Sequence, residues 1–283
     1  MVTCSIIVVS HNALPYSKIF YNSYRRYTRT DNIKLVWVDN NSTDGTREWL
    51  EELNIDHLML LDENIGAAYA RHKAVHEIDT DAICFVDNDI AITQIGWINR
   101  LLRVLYSSDR IGAVAPAFNL ILDATHFDAF TERVSRTWAR IDTYLNDQSA
   151  SAFLYHEDVQ PYIDKYLTTL KKKPFPGRLC LEGGGTTLRR FTYLDSGGYR
   201  PEFTIKHEGG VLHRGIVYKL GLETWVVPSV FLFHYGHATR NTSVIPDFHQ
   251  KIKMSEEAKR RWEAEDKEFK GRGSIIQHEL ERS

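Results

Sequence analysis

The chain has 283 residues, 43% apolar and 25% charged, the balance of a globular protein with length for one large or two modest domains and not that of a fibrous or disordered chain. Lysine and arginine number 35 against 37 aspartate and glutamate, so net charge is −2 and no whole-protein basic field for nucleic acid exists. Cys4, Cys84 and Cys180 lie far apart and read as reduced core thiols. No apolar run approaches ~18 residues and no basic leader precedes the first apolar run, so the expectation is a cytoplasmic protein, at most peripheral at a membrane surface.

Strand-like and helix-like segments alternate from the start. The apolar run from Thr3 to Ser10 is followed by a helical stretch from Tyr16 to Tyr27 and a strand from Lys34 to Asp39. A helix is expected near Ser42, where Ser42, Thr43 and Asp44 offer capping oxygens. The strand His57 to Asp62 leads into a helix from Gly66 to Ile78; then come a strand from Ala82 to Val86, a helix from Trp97 to Tyr106 and a strand from Ile111 to Ala115. Runs such as Ile6 to Val9 and Ile83 to Val86 are too apolar for half-exposed strands and fit strands covered on both faces. Five strand–helix alternations argue for a doubly wound parallel sheet. From Asn119 to Pro176 the pattern turns to helical stretches rich in aromatics, which suit either a core or a sugar-binding surface. Beyond Arg178 lie a glycine-rich strand through Gly183, Gly184 and Gly185, a short helix from Val211 to Leu220, a strand from Thr224 to Tyr235 broken by Pro228, and a charged helix from Asp247 to Phe269.

In an open parallel sheet, ligands sit beyond the carboxyl ends of the strands, and four polar turns fall at such places. Asp39 stands at a strand tip ahead of any cap and suits the imide N–H of a pyrimidine. Asn64, Ile65 and Gly66 open a helix whose first N–H groups and dipole favour an anion, with Arg71 as a further phosphate contact. Asp87-Asn88-Asp89 directly follows an apolar strand; two carboxylates so spaced address a hard divalent cation, with Asp89 as direct ligand and Asp87 facing the ribose or the ion's water shell. His234 and His237 follow the last apolar run and read either as hydrogen-bonded surface residues or, His234 ahead of His237, as an imidazole that completes a metal shell with a slight preference for Mn²⁺. Glu208, near a helix start, reads either as a surface acid or as a general base for an acceptor hydroxyl. Lys171 to Lys173 with Arg178, Arg189 and Arg190 form a charge run that is either solvated or a rim for an anionic acceptor.

In ordered series these residues resemble the family 2 glycosyltransferases. The opening Ser5 to Asn12, the Asp39-to-Thr46 turn, Asn64-Ile65-Gly66 with Ala70-Arg71, Asp87-Asn88-Asp89, Gly184 to Arg190, Gly197 to Pro201 and Gly221 to His234 carry the likeness over most of the chain. The resemblance implies an α/β fold of the GT-A, Rossmann-like type, with a central mostly parallel sheet flanked by helices. It implies that Ser10, Asn12, Asp39, Asn64, Gly66, Arg71, Asp87, Asn88, Gly184 and Arg214 bind the nucleotide-sugar, that Asp89, His234, Asp87 and His237 hold Mn²⁺ or Mg²⁺, and that Glu208 is catalytic. One departure stands out. Where the family commonly has Glu-Asp-x-Asp-Leu-x-x-Arg, this chain reads His207-Glu208-Gly209-Gly210-Val211-Leu212-His213-Arg214, so Glu208 falls on the base position and the second acid is replaced by Gly210.

The function so implied is inverting transfer of a sugar from a nucleoside-diphosphate sugar, UDP-sugar favoured, to a hydroxyl on a saccharide, lipid-linked saccharide or macromolecule; nucleic acid is the disfavoured acceptor. The alternatives are a nucleotidylyltransferase or pyrophosphorylase, against which Ser10 to Pro15 lacks the glycine- and base-rich phosphate loop, and a non-catalytic nucleotide-sugar-binding module. The expected organisation is residues 1–118 as the nucleotide-sugar-binding half, 119–245 as the acceptor-binding and catalytic half of one domain, and 246–283 as a charged helix and tail.

Overall fold

The computed structural model describes residues 2–28, 31–92, 94–116, 173–176, 184–199, 208–230 and 232–234. Along the chain run β1 (Cys4–Ser10), α1 (Leu14–Tyr27), β2 (Ile33–Asp39), α2 (Thr46–Glu51), β3 (His57–Leu60), α3 (Ala67–His76), β4 (Ala82–Asp87), β5 (Ile90–Ile92), α4 (Trp97–Leu105) and β6 (Ile111–Pro116). After these come β7 (Phe175–Pro176), β8 (Gly184–Arg189), α5 (Arg190–Ser196), α6 (Glu208–Arg214), a π-helical turn (Gly215–Lys219), β9 (Glu223–Val227) and β10 (Leu232–His234).

An eight-stranded sheet has the order β3-β2-β1-β4-β8-β6-β9-β7, and a separate ribbon pairs β10 with β5. β1 to β4 are mutually parallel, whereas β8 runs antiparallel between β4 and β6. Successive side chains of the parallel strands go to opposite faces. Ile6, Val8, Leu35, Trp37, Cys84 and Val86 meet α1, α2 and α4 on one face. Ile7, Val9, Val36, Val38, Ile83 and Phe85 meet α3, α5 and α6 on the other. Burying each such side chain is worth about 1.5–3 kcal/mol, which explains why these runs are apolar throughout instead of alternating. Cys4 and Cys84 are buried thiols of this core; burial pushes the Cys84 thiol up to about 12, against a smaller opposing hydrogen bond with Thr187.

β8 enters between the strand ending at Asp87 and the one starting at Ile111; a returning strand of distant sequence leaves no trace in local periodicity. Three expectations change. The helix expected at Ser42 begins at Thr46, with Gly45 in the left-handed region at its N-cap. The short helix from Val211 to Leu220 starts earlier, at Glu208, and widens into the π turn at Gly215. The segment Thr224 to Tyr235 is two strands in two sheets, parted at Pro228, which cannot donate to a ladder. The helices expected within 119–172 and 247–269, with Lys171, Lys172, Arg178 and Cys180, lie outside the described residues.

Candidate active site

Register decides what the strand tips share. Ser10 is level with Asp39, Val9 with Asp87, and Asp39 with Leu60, so the polar turns after β1, β2, β3 and β4 all open on one edge of the sheet. At the β1 tip, Asn12 and Ala13 both take positive φ, turning the chain sharply into α1, where Pro15 fits the first turn.

The turn after β2 is bound to its neighbours. The buried Asp39 carboxylate accepts the Ser42 N–H at 3.0 Å and the Ser10 hydroxyl at 3.3 Å, and Ser10 Oγ accepts the Trp37 indole N–H at 2.9 Å. Ser42 Oγ accepts the Asn12 N–H at 2.8 Å, Asn12 Oδ1 accepts the Thr43 N–H at 2.8 Å, and Asp44 Oδ2 accepts the Leu14 N–H at 2.9 Å. The oxygens expected to cap α2 therefore serve mainly to tie β1's turn to β2's, although Asp44 Oδ1 also accepts the Thr46 N–H at 3.1 Å. Asn40 joins the third tip: its Oδ1 accepts the Ile65 N–H at 2.9 Å and its Nδ2 donates to Asn64 Oδ1 at 2.7 Å, while Asn64 Oδ1 also accepts the Gly66 N–H at 3.0 Å. Asn40 had no signal of its own in the sequence beyond standing beside Asp39.

The acidic triplet closes β4. Asp87 Oδ1 is paired with Arg71 Nη2, reaching from α3. Arg71 is nearly buried, and its guanidinium also lies 5.9 Å from the Tyr199 ring. On the other side His234 Nε2 lies 2.9 Å from Asp89 Oδ1 and 3.9 Å from Asp87 Oδ2. The ribbon explains this delivery, since β10 pairs antiparallel with β5 and sets His234 opposite Ile90, one residue beyond Asp89. One donor atom from each of Asp87, Asp89 and His234 falls within 4.8 Å of the others, and this is the one such group among the described residues. Two hard carboxylate oxygens and an imidazole nitrogen at that spacing fit a divalent cation.

The remaining residues fall as follows. Gly184 starts β8 level with Val86, beside the triplet. Asn88 is turned away, its Nδ2 donating to Ser17 Oγ of α1 at 2.9 Å, with both residues buried. Glu208 and Arg214 are the first and last residues of α6. His237 lies outside the described residues.

The model of the family described as glycosyl transferase family 2 matches residues 5–170, more than half of the chain. The chain belongs to that family. Among curated relatives of this family 2 chain, a teichoic acid poly(glycerol phosphate) polymerase of Staphylococcus epidermidis is 29% identical over 159 residues, 53% of this chain and 22% of the relative. A putative teichuronic acid biosynthesis glycosyltransferase, TuaG of Bacillus subtilis, is 36% identical over 89 residues, 30% of this chain and 35% of the relative. The family 2 chain thus matches about a fifth to a third of the length of these relatives. Among solved structures, GalNAc-T7 with UDP, GalNAc and Mn²⁺ matches with a TM-score of 0.56 at 13% identity, over 83% of this chain and 44% of that one. Residues 1–349 of S. aureus TarS match with a TM-score of 0.54 at 14% identity, over 82% and 60%. At such identities the likeness speaks for the fold, which is the GT-A fold of glycosyltransferases. No helix among the described residues is long and apolar enough to cross a membrane.

Proposed function

We propose that this family 2 chain is a metal-dependent, inverting glycosyltransferase that moves a sugar from a nucleoside-diphosphate sugar, UDP-sugar ahead of others, to a hydroxyl of a saccharide, lipid-linked saccharide or macromolecule. The observation that carries the reading is the convergence of Asp87, Asp89 and His234 at the strand edge where the turns after β2 and β3 also open. Two solved relatives of the same fold hold Mn²⁺ with UDP or with GDP-mannose, which supports a nucleotide donor and this ion class. The imidazole in the donor set favours Mn²⁺ over Mg²⁺. The teichoic and teichuronic acid relatives favour an acceptor of the bacterial cell-surface polymer class.

In this reading Asp87, Asp89 and His234 hold the cation, with His237 as a second imidazole candidate. A bound divalent cation supplies Lewis-acid stabilisation of the negative charge on the departing diphosphate. Arg71 keeps Asp87 oriented and adds positive charge beside the phosphates. Gly184 and the Asn64–Gly66 turn line the donor's path, and Arg214 serves the donor from the end of α6. Glu208 takes the proton from the acceptor hydroxyl as the acceptor oxygen bonds to the anomeric carbon. The bond from that carbon to the β-phosphate oxygen breaks, its electron pair leaves with the nucleoside diphosphate, and the anomeric configuration inverts.

The test is release of nucleoside diphosphate from a panel of nucleotide-sugars with Mn²⁺ and a cell-surface polymer acceptor. Asp89→Ala is expected to abolish the metal-dependent release. Glu208→Gln is expected to keep UDP binding and lose turnover by roughly 10²–10⁴-fold, the usual contribution of a positioned base. Wild-type turnover in Glu208→Gln places the base elsewhere, and binding of nucleotide-sugars without any release by the wild type rejects the transferase reading.

A further inference from the structure

Two serines of α1 face the segment that carries the acidic triplet from β4 into β5. Ser17 Oγ accepts the Asn88 amide N–H at 2.9 Å, and Ser23 Oγ accepts the Ile92 backbone N–H at 3.0 Å while donating to the Phe20 carbonyl at 2.8 Å. Ser17, Ser23, Asn88 and Ile92 are all buried. The segment is therefore held to α1 at the turn after β4 and at β5. That strand in turn carries β10 and with it His234. Asp87 ends β4, Asp89 lies in the turn before β5 and His234 sits on the strand paired with β5, so the three metal-site donors flank a β4–β5 segment tied to α1 by two serine hydroxyls.

We propose that Asn88 is a positioning residue for the metal site and that Ser17 is its partner: the Asn88–Ser17 bond fixes the turn so that Asp87 and Asp89, on either side of Asn88, present their carboxylates together to His234. This goes deeper into the metal site proposed above and rests on that reading. The chemistry of the middle residue fits the task. A carboxamide brings an N–H donor to a buried hydroxyl oxygen, whereas a third carboxylate there would bring charge into the α1 side of the turn. The sequence had suggested Asn88 as a contact to the nucleotide-sugar; its buried direction toward α1 supports the anchoring role instead.

Outer hydrogen bonds that orient ligands are commonly worth 10–100-fold in metal affinity. The experiment measures Mn²⁺ affinity of the full chain in the presence of UDP, by calorimetry and by the spin-resonance signal of free Mn²⁺, for wild type, Ser17→Ala, Asn88→Ala and the double variant. Each single substitution is expected to weaken Mn²⁺ binding about 10-fold, and the double variant to bind no more weakly than either single, because one hydrogen bond is lost in all three. Thermal unfolding of each variant checks that it is folded, and Ser17→Cys, close in size with a weaker acceptor, replaces Ser17→Ala if that variant does not fold. Single variants that bind Mn²⁺ within about twofold of wild type, or losses that add in the double variant, overturn the anchor. A wild-type chain that binds no Mn²⁺ with UDP overturns the metal reading itself, and the anchor with it.

Discussion

Asn40 is 2% exposed, and its polar groups reach the turns on both sides of its own. Its N–H donates to the Ser10 carbonyl, its carbonyl accepts from His11 Nδ1, and its amide meets Ile65 and Asn64. Asn40→Ala removes the amide and leaves the Ile65 N–H and Asn64 Oδ1 without that partner, which is expected to lower stability by about 1–3 kcal/mol. Because the Asn64 turn leads into α3 and so to Arg71, UDP affinity is expected to fall as well. Urea unfolding and UDP calorimetry check the two effects; unchanged values in both would remove Asn40 from the frame of the site. Such a residue is hard to find from sequence. Asp39, Asp87, Asp89 and His234 were legible as places because a carboxylate or imidazole at the end of an apolar strand falls at the sheet's ligand edge. Asn40 and Ser17 act through partners 24 and 71 residues away in sequence, and nothing in their own neighbourhood announces those partners.

Among the elements, β1, β2, β4, α1 and α4 follow their hydrophobic patterns, since each buries apolar side chains against the sheet, whereas β3 is only half-buried and α3, which buries mainly alanines, was legible by helical propensity. β5 escapes because three residues, all buried, carry no readable period. β8 was readable as a glycine-rich strand with something close against it, and the structure names the neighbours. Gly185 has φ +88°, and a Cβ there would lie 2.6 Å from Leu232 Cδ1 and 3.0 Å from Pro116 Cγ. Leu232 is fully buried and stands two residues before His234, on the strand that delivers the imidazole. Gly185→Ala is therefore expected to destabilise the fold by about 1–3 kcal/mol through overpacking, with further strain from the left-handed backbone. It is also expected to weaken Mn²⁺ binding, because the imidazole shifts relative to Asp89. Parallel denaturant and Mn²⁺ titrations separate the effects, and an alanine variant with wild-type metal affinity would detach β8 from the placement of His234.

At the scale of the molecule, the main sheet is joined in its middle by a strand that arrives late. Among the described residues β6 pairs with β8 and β9 alone, and β4 faces β8 on the side away from β1. Without residues 184–189 the sheet is split into two parts with open edges. A fragment ending at residue 118 is expected to lack a cooperative unfolding transition and to associate through those edges. Circular dichroism melts with size-exclusion chromatography decide this, and a monomeric fragment that melts cooperatively contradicts it.

The same insertion imposes an order on birth. Translation at about 5–20 residues per second separates the emergence of β6 from that of β8 by several seconds, during which β4 and β6 lack the strand that joins them. The domain thus has reason to need a chaperone's shelter until the strand that bridges its two halves has left the ribosome.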